Sequence, residues 1–210
     1  MRKLIVSTFV TLDGVMQAPG GPGEDDSGGF EYGGWSVNYW DELMGHVMTE
    51  AMSAPFDLLL GSKTYDIFST FWPDAPEEAG SKPLNDATKY VASRTHRELE
   101  WGPSVLIEGD AAEGVAKLKQ GDGAELQVHG SGNLIQTLLQ HGLVDEYRLW
   151  VFPLVIYYAM TLAVPIVNGS FFRVAFWEHF AFVIALPLII VASSNVLLFL
   201  LRKPAKRATA

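Results

Sequence analysis

The pattern of hydrophobic and polar residues divides the chain into two parts that meet near residue 153. In the first part, short β-rich apolar runs alternate with segments whose apolar residues recur at helical spacing. In the second part the apolar residues form long runs, with Arg173 and Glu178 as the charged residues between positions 151 and 201. The sequence therefore predicts two domains of different character, 1–153 and 154–210.

Strand and helix signals alternate through the first part of the chain. A glycine-rich, acidic stretch at 20–35 contains too much glycine to hold regular structure. Helices placed between strands imply βαβ crossovers, so we expect an α/β fold with a largely parallel sheet flanked by helices. The predicted strands are 3–10, 57–61, 89–93, 104–107, 125–129 and 145–152, and the predicted helices are 36–53, 63–71, 111–119 and one that ends at residue 141.

Composition excludes several classes of partner. Residues 1–150 carry 10 Lys and Arg against 23 Asp and Glu, a net charge of −13. Such an acidic domain repels phosphate backbones, so nucleic acid is not expected as a partner. The chain has no cysteine, which excludes disulfides and thiolate metal sites, and none of its five histidines has a partner at metal-ligand spacing. No metal is therefore predicted.

Three loops that follow predicted strands carry the candidate chemistry. The motif G-S-K-T-Y at 61–65 places a cation and a hydroxyl at a helix start, S-R-T at 93–95 offers two hydroxyls and a guanidinium, and H-G-S-G-N-L occupies 129–134. Backbone N–H groups at a helix start suit a phosphate, and ligands of open α/β sheets bind at the carboxyl ends of strands. The three loops together favour a phosphate-containing ligand. The simpler alternatives are a tight turn in which Ser131 caps the helix, and a solvated loop cation at Arg94.

The order of these motifs resembles a known family. The motifs are T-L-D-G near the N-terminus, G-S-K-T-Y, K-Y-V-A-S-R-T, H-G-S-G-N-L and G-L-V-D-E-Y-R-L-W-V-F-P, and they look like the reductase domain of bacterial riboflavin biosynthesis. The resemblance covers residues 2–153 and implies a dihydrofolate-reductase-like fold. It also implies an NADPH-dependent reductase that acts on a pyrimidine- or pterin-like compound, in the prototype by hydride delivery to the ribosyl carbon of an aminouracil phosphate. The resemblance supports the NADPH cofactor more strongly than it supports the identity of the substrate.

The resemblance also implies which residues bind NADPH. The loop at 61–65 would contact the dinucleotide phosphates, and the loop at 93–95 would contact the phosphate on the adenosine side. The loop at 129–134 would bind the pyrophosphate. Relatives usually carry arginine where this chain has Ser62, and the missing charge weakens the preference for NADPH over NADH. The implied cofactor-binding residues are Gly61, Ser62, Lys63, Thr64, Ser93, Arg94, Thr95, Gly130, Ser131, Gly132 and Asn133.

Asp13, directly after the first strand, is the candidate catalytic residue. Its carboxylate could hydrogen-bond the edge of an aminopyrimidine or supply a proton beside the hydride acceptor. An ordinary Asp-Gly turn explains the same residue equally well. In the glycine-rich stretch, Phe30, Tyr32 and Trp35 either cover a flat heterocycle or anchor the loop to the core.

The second part of the chain predicts attachment to a lipid bilayer. A spanning helix needs about 20 mostly apolar residues, which 180–201 satisfies and 154–167 reaches only by borrowing residues of the last strand. The basic sequence R-K-P-A-K-R after the second span predicts a cytoplasmic C-terminus, and two crossings return the first domain to the same side of the inner membrane. The alternative for 154–167 is a buried helix or strand. With V-N-G-S-F-F-R followed by a Pro-containing apolar run, residues 154–210 loosely resemble the N-terminal membrane domain of lipid A phosphoethanolamine transferases.

The chain also departs from the family that it resembles. After V-F-P-L-V, relatives continue into two further strands that close the sheet, whereas here no alternating strand pattern returns. We expect a membrane-tethered reductase domain with a small heterocyclic substrate, and a second copy of the chain is a candidate partner. The alternatives are a catalytically impaired, membrane-anchored fusion or remnant and a truncated membrane component of an envelope-modifying transferase.

Overall fold

A computed structural model describes residues 1–95 and 98–154 of the chain. Each predicted strand has a counterpart in it. The strands are β1 (Leu4–Thr11), β2 (Phe56–Gly61), β3 (Lys89–Ala92), β4 (Ser104–Ile107), β5 (Glu125–His129) and β6 (Glu146–Phe152). The α-helices are α1 (Glu42–Ala51), α2 (Ser62–Phe71), α3 (Ser81–Asp86), α4 (Ala111–Gln120) and α5 (Gly132–Gln140).

The six strands form one sheet in the order β4-β3-β2-β5-β1-β6, and every neighbouring pair is parallel. The predicted α/β fold is confirmed, and the sheet is parallel throughout the described residues. Parallel pairing requires a crossover between strands, which helices provide everywhere except between β3 and β4, where the connection has no helix in the described residues. Because all six strands point the same way, the loops that follow their carboxyl ends meet at one edge of the sheet.

Apolar side chains cover both faces of the sheet. Successive residues of a strand point to opposite faces, so the run Leu58-Leu59-Leu60 in β2 contributes to two separate core layers. Each fully buried large aliphatic side chain stabilises the fold by about 1.5–3 kcal/mol. One layer contains Leu4, Val6, Leu59, Ile107, Val115, Leu126, Val128, Leu134, Ile135 and Leu138, and the other contains Phe56, Leu58, Leu60, Tyr65, Leu84, Ala87, Val91 and Trp101.

The predicted helix 36–53 is wrong at its start. A 3-10 turn occupies Val37–Tyr39, and α1 begins at Glu42, where the Asp41 carboxylate accepts a hydrogen bond of 2.7 Å from the N–H of Met44. This N-cap interrupts the apolar periodicity on which the longer prediction rested. The predicted apolar face of α1 is not buried in the core. The short helix α3 has no counterpart among the predictions.

Strand β6 lies at one edge of the sheet as described. Its alternate residues Tyr147, Leu149 and Val151 are exposed by 51%, 53% and 56%. None of the helices in the described part of the chain is long and apolar enough to cross a membrane. The predicted spans, and the position at which relatives close the sheet, fall on residues 155–210, outside the described residues.

Candidate functional site

A cleft of about 2250 Å³ opens at the carboxyl ends of the strands. All three loops singled out in the sequence line it, because β2, β3 and β5 are adjacent or next but one in the sheet. The structure therefore brings together the predicted cofactor-binding residues, which are Gly61, Ser62, Lys63, Thr64, Ser93, Arg94, Thr95, Gly130, Ser131, Gly132 and Asn133.

Hydrogen bonds join two of these loops to each other. The N–H of Gly61 donates to Ser131 Oγ at 3.0 Å, and the N–H of Ser131 donates to Thr64 Oγ1 at 3.0 Å. Ser131 itself has a φ of 58°, a left-handed conformation that an L-residue adopts at a cost. The loop after β2 and the loop after β5 thus form a single unit at the centre of the cleft.

The start of α5 differs from the simple capping arrangement. The Ser131 side chain makes no capping hydrogen bond to the helix, because its hydroxyl is committed to Gly61 and donates weakly to the carbonyl of His129 at 3.3 Å. Backbone N–H groups in the first turn of a helix need partners from outside it. Gly132, Asn133 and Leu134 supply such N–H groups and line the cleft. The positive end of α5 is therefore available to an anionic group.

Lys63 is held by the glycine-rich stretch. Its ammonium forms an ion pair of 2.7 Å with Asp25 and donates to Ser27 Oγ at 2.5 Å. Partial burial disfavours the charged carboxylate, but the hydrogen bonds from Lys63 and Ser27 outweigh it and lower the pKa of Asp25. The pair ties residues 20–35 to the first turn of α2, a contact that the sequence did not predict.

The loop after β3 folds around its own hydroxyl groups. The N–H of Thr95 donates to Ser93 Oγ at 3.1 Å, and the two hydroxyl oxygens are 3.3 Å apart. The Arg94 side chain is exposed at the surface of the cleft. This arrangement presents a guanidinium beside two hydroxyls, which is the chemistry that binds a phosphate.

Asp13 is not brought together with the other predicted site residues. It lies in the turn after β1, where it accepts a hydrogen bond of 2.5 Å from the Thr11 hydroxyl, and it is not among the residues that line the cleft. The same hydroxyl accepts from the N–H of Val15 at 2.9 Å, and Gly14 has a φ of 86°. The observed arrangement is the Asp-Gly turn that the sequence left open.

Two of the three aromatic residues of the glycine-rich stretch act as anchors, whereas Tyr32 is 37% exposed. Phe30 and Trp35 are each 7% exposed, and neither lines the cleft. The indole N–H of Trp35 donates to the carbonyl of Gln17 at 2.8 Å, and its ring lies 5.2 Å from that of Phe152 in β6. Of the two interpretations offered by the sequence, the structure supports the one in which these aromatics pin the loop.

The cleft also contains residues that the sequence analysis missed. Phe9, Trp40, Met48 and Met52 contribute apolar lining, and His129 at the end of β5 contributes a titratable imidazole. Burial lowers the pKa of His129 to about 4, and the nearby charge of Arg148 acts in the same direction. Alternating polar residues along the central strand E-L-Q-V-H were the signal that could have identified it.

Comparison with known proteins gives this geometry a family context. The family model described as the RibD C-terminal domain matches residues 2–157. The protein YyaP of Bacillus subtilis (strain 168), which is described as uncharacterized, is 31% identical over 159 residues, covering 74% of this chain and 77% of that protein. Among solved structures, one from Shewanella sp. PV-4 that is provisionally named a riboflavin biosynthesis protein has a TM-score of 0.50 and 23% identity, covering 74% of this chain and 79% of the other.

Proposed function

Because the chain belongs to the RibD C-terminal domain family, we propose that it is an NAD(P)H-dependent reductase that transfers hydride to a pyrimidine- or pterin-like substrate. The observation that carries the proposal is the convergence of three loops on one cleft, two of them hydrogen-bonded to each other. The parallel sheet places the three loops at one edge, and the hydrogen bonds between the loops after β2 and β5 hold hydroxyl and backbone N–H groups of both loops together in the cleft. A dinucleotide, which has several phosphates, fits the groups that these three loops present.

The residues of the cleft fit the groups that a dinucleotide carries. The first-turn N–H groups of Gly132 and Asn133 suit the pyrophosphate, because they add hydrogen bonds to the positive helix end. The loop after β3, with Arg94, suits a further phosphate on the adenosine side. Lys63 supplies another cation when its ion pair with Asp25 opens. Ser62 adds no charge, so the choice between NADPH and NADH depends mainly on Arg94.

The chain's own residues would bind and orient the reactants. When bound, the reduced nicotinamide supplies the hydride. Phe9, Met48 and Met52 line the same cleft as the cofactor loops and would limit the access of water to the reacting carbon. Such an apolar surface also suits the flat faces of a heterocyclic substrate. The Asp13 carboxylate remains a predicted catalytic group, and the hydrogen bond from Thr11 favours its role in the turn.

A titration of the full-length chain with NADPH tests the proposal. We expect saturable binding that Arg94→Ala weakens by about tenfold, since a charge-assisted hydrogen bond contributes about 1.5–3 kcal/mol and exposure reduces that figure. Lys82→Ala is the matched control, because Lys82 pairs with Asp86 on α3 and does not line the cleft. Its affinity should equal that of the wild type. A folded protein with no saturable binding would contradict the proposal and favour the impaired remnant.

We also propose that residues 154–210 attach the reductase domain to the inner membrane. The support is the pair of long apolar runs followed by the basic sequence R-K-P-A-K-R. Full-length protein should resist extraction from membranes by alkaline carbonate, and a reporter fused after Ala210 should lie in the cytoplasm. Recovery of the full-length chain as a soluble, folded monomer would contradict this attachment.

A further inference from the structure

His129 lies where the polar face of the central strand meets the cleft. It is the last residue of β5, its register partner in β1 is Ser7, and both residues line the cleft. Its imidazole ring stacks on Phe56, with ring centroids 6.2 Å apart and an interplanar angle of 12°. The stacked ring is therefore held in one orientation where it lines the cleft.

The side chain of Gln127 determines which nitrogen of His129 carries the proton. Gln127 Nε2 lies 2.7 Å from Glu125 Oε1 and 3.4 Å from the carbonyl oxygen of Ala51. Both of these atoms are acceptors, so the amide nitrogen of Gln127 must face them and its Oε1 must face His129. Gln127 Oε1 is 2.9 Å from His129 Nε2. Because an amide oxygen only accepts, Nε2 of His129 must be the donor.

A neutral imidazole with a protonated Nε2 has an unprotonated Nδ1. The charged groups that face this network are Glu125 on β5 and Arg148 and Glu146 on β6, with Arg148 donating to Glu146 Oε1 at 2.6 Å. Burial and the charge of Arg148 keep the pKa of His129 near 4, so the ring is neutral at physiological pH. Within the described part of the chain, no residue donates a hydrogen bond to Nδ1. The network thus leaves one acceptor atom of the ring for the cleft.

We propose that His129 presents this unprotonated Nδ1 to the cleft and accepts a hydrogen bond from a ring N–H of a flat heterocyclic ligand. Glu125 and Gln127 act as positioning residues that fix the tautomer. The class of ligand rests on the proposed function, whereas the tautomer does not. A heterocycle with an N–H facing His129 gains a hydrogen bond, and one with a carbonyl or a methylated nitrogen there leaves a desolvated acceptor unpaired.

Two measurements on the full-length chain test this assignment. Heteronuclear NMR of the imidazole nitrogens reports the tautomer of His129 directly and needs no ligand. Fluorescence titration compares lumazine with its derivative methylated at both pyrimidine ring nitrogens, which differ in N–H donors while sharing the flat bicyclic ring. Both titrations are repeated with His129→Phe, which keeps an aromatic ring over Phe56, and with His46→Phe, which changes a histidine that does not line the cleft.

We expect a protonated Nε2 and an unprotonated Nδ1, with lumazine bound roughly tenfold more tightly than the methylated derivative. This ratio should fall to about one in His129→Phe and persist in His46→Phe. A protonated Nδ1, equal affinities in the wild type, an unchanged ratio in His129→Phe, or binding of neither probe would each overturn the proposal. If His129→Phe does not fold, the tautomer of His129 and the ratio of the two affinities, both measured on the wild type, still test the proposal. Selective lumazine binding without NADPH binding would refute the reductase and leave this inference standing.

Discussion

Replacing Ser131 by alanine is expected to weaken the connection between the two loops that form the centre of the cleft. The Ser131 hydroxyl accepts from the N–H of Gly61 at 3.0 Å and donates to the carbonyl of His129 at 3.3 Å. It therefore connects the carboxyl ends of β2 and β5. Ser131→Ala removes both contacts while keeping the backbone N–H that donates to Thr64.

The expected loss of stability in Ser131→Ala follows from the polar groups that lose their hydrogen-bond partner. A partly buried N–H of Gly61 without its acceptor costs about 1–3 kcal/mol, and the longer bond to His129 adds little. The left-handed φ of 58° at Ser131 strains alanine as it does serine. Glycine relieves about 1–2 kcal/mol of that strain but loses about 0.4–1 kcal/mol through its more flexible unfolded chain. Ser131→Ala should thus lower the free energy of unfolding by about 2 kcal/mol, and Ser131→Gly by roughly half as much.

Urea denaturation at fixed pH, with an NADPH titration of each variant, measures both effects. Ser69→Ala is the matched control, since Ser69 does not line the cleft and its hydroxyl donates to the carbonyl of Asp66 within its own helix. It should change stability by less than about 0.5 kcal/mol. We expect NADPH affinity to fall about fivefold or more in Ser131→Ala, because one of the two hydrogen bonds that join the loops is lost and the binding loops are less well ordered. Unchanged stability in Ser131→Ala, or a glycine variant less stable than the alanine variant, would refute the reasoning.

Other predictions concern the buried Lys89, the ion pair between Lys63 and Asp25, and Asp13 in the turn after β1. Burial lowers the pKa of Lys89 from 10.5 to about 8, with the charge of Asp86 partly opposing this. The unfolded chain therefore binds more protons between these values, so the free energy of unfolding should rise by at most about 3 kcal/mol as pH increases from 8 to 10.5. Lys89→Met should flatten this rise, and an equal rise in both proteins would contradict the assignment. Asp25→Asn should release Lys63 and tighten NADPH binding by about twofold to fivefold at low salt and less at high salt; weaker binding would show that Asp25 instead orders the site. Asp13→Ala should destabilise the fold by about 1 kcal/mol without changing NADPH affinity, whereas a hundredfold loss of turnover at unchanged stability would restore its catalytic role.

The sequence predicts the sheet and the cofactor loops because both depend on local signals. Short β-rich apolar runs located all six strands, and the helices between them implied parallel pairing. The resemblance to the riboflavin-biosynthesis reductase domain is confirmed by the family match to residues 2–157. The order of strands then places the loops at 61–65, 93–95 and 129–134 on one edge, as ligand binding in open α/β sheets requires.

The contacts that shape the site depend on partners distant in sequence. Ser131 could form a cap with the helix that follows it, and sequence alone gives no reason to prefer Gly61, which is 70 positions away. Lys63 likewise contacts Asp25 and Ser27 on the glycine-rich loop. The sequence of that loop has no hydrophobic periodicity from which its position could be predicted. The tautomer of His129 likewise depends on the orientation of the Gln127 side chain, which the sequence does not give. In the folded state, several side chains compete for the same hydrogen-bond donors and acceptors, and this competition decides which contacts form. Local sequence propensity does not predict its outcome.

The start of α1 shows how two local signals compete. The apolar periodicity of Trp40, Leu43 and Val47 extends a helix prediction upstream, but these side chains are 49%, 70% and 41% exposed. Asp41 provides an N-cap whose carboxylate satisfies the N–H of Met44. A cap contributes about 1 kcal/mol and fixes the helix start more sharply than a half-exposed apolar stripe does.

Mapping the backbone amide shifts of the full-length chain during an NADPH titration tests the central claim most directly. The account predicts saturable shifts at Gly61, Thr64 and Ser131, and at the first-turn amides of α5. Amides of the edge strand β6, such as that of Tyr147, should not move. Saturable shifts confined to other surfaces, or no shifts at all in a folded protein, would contradict the assignment of the cleft to a reduced dinucleotide.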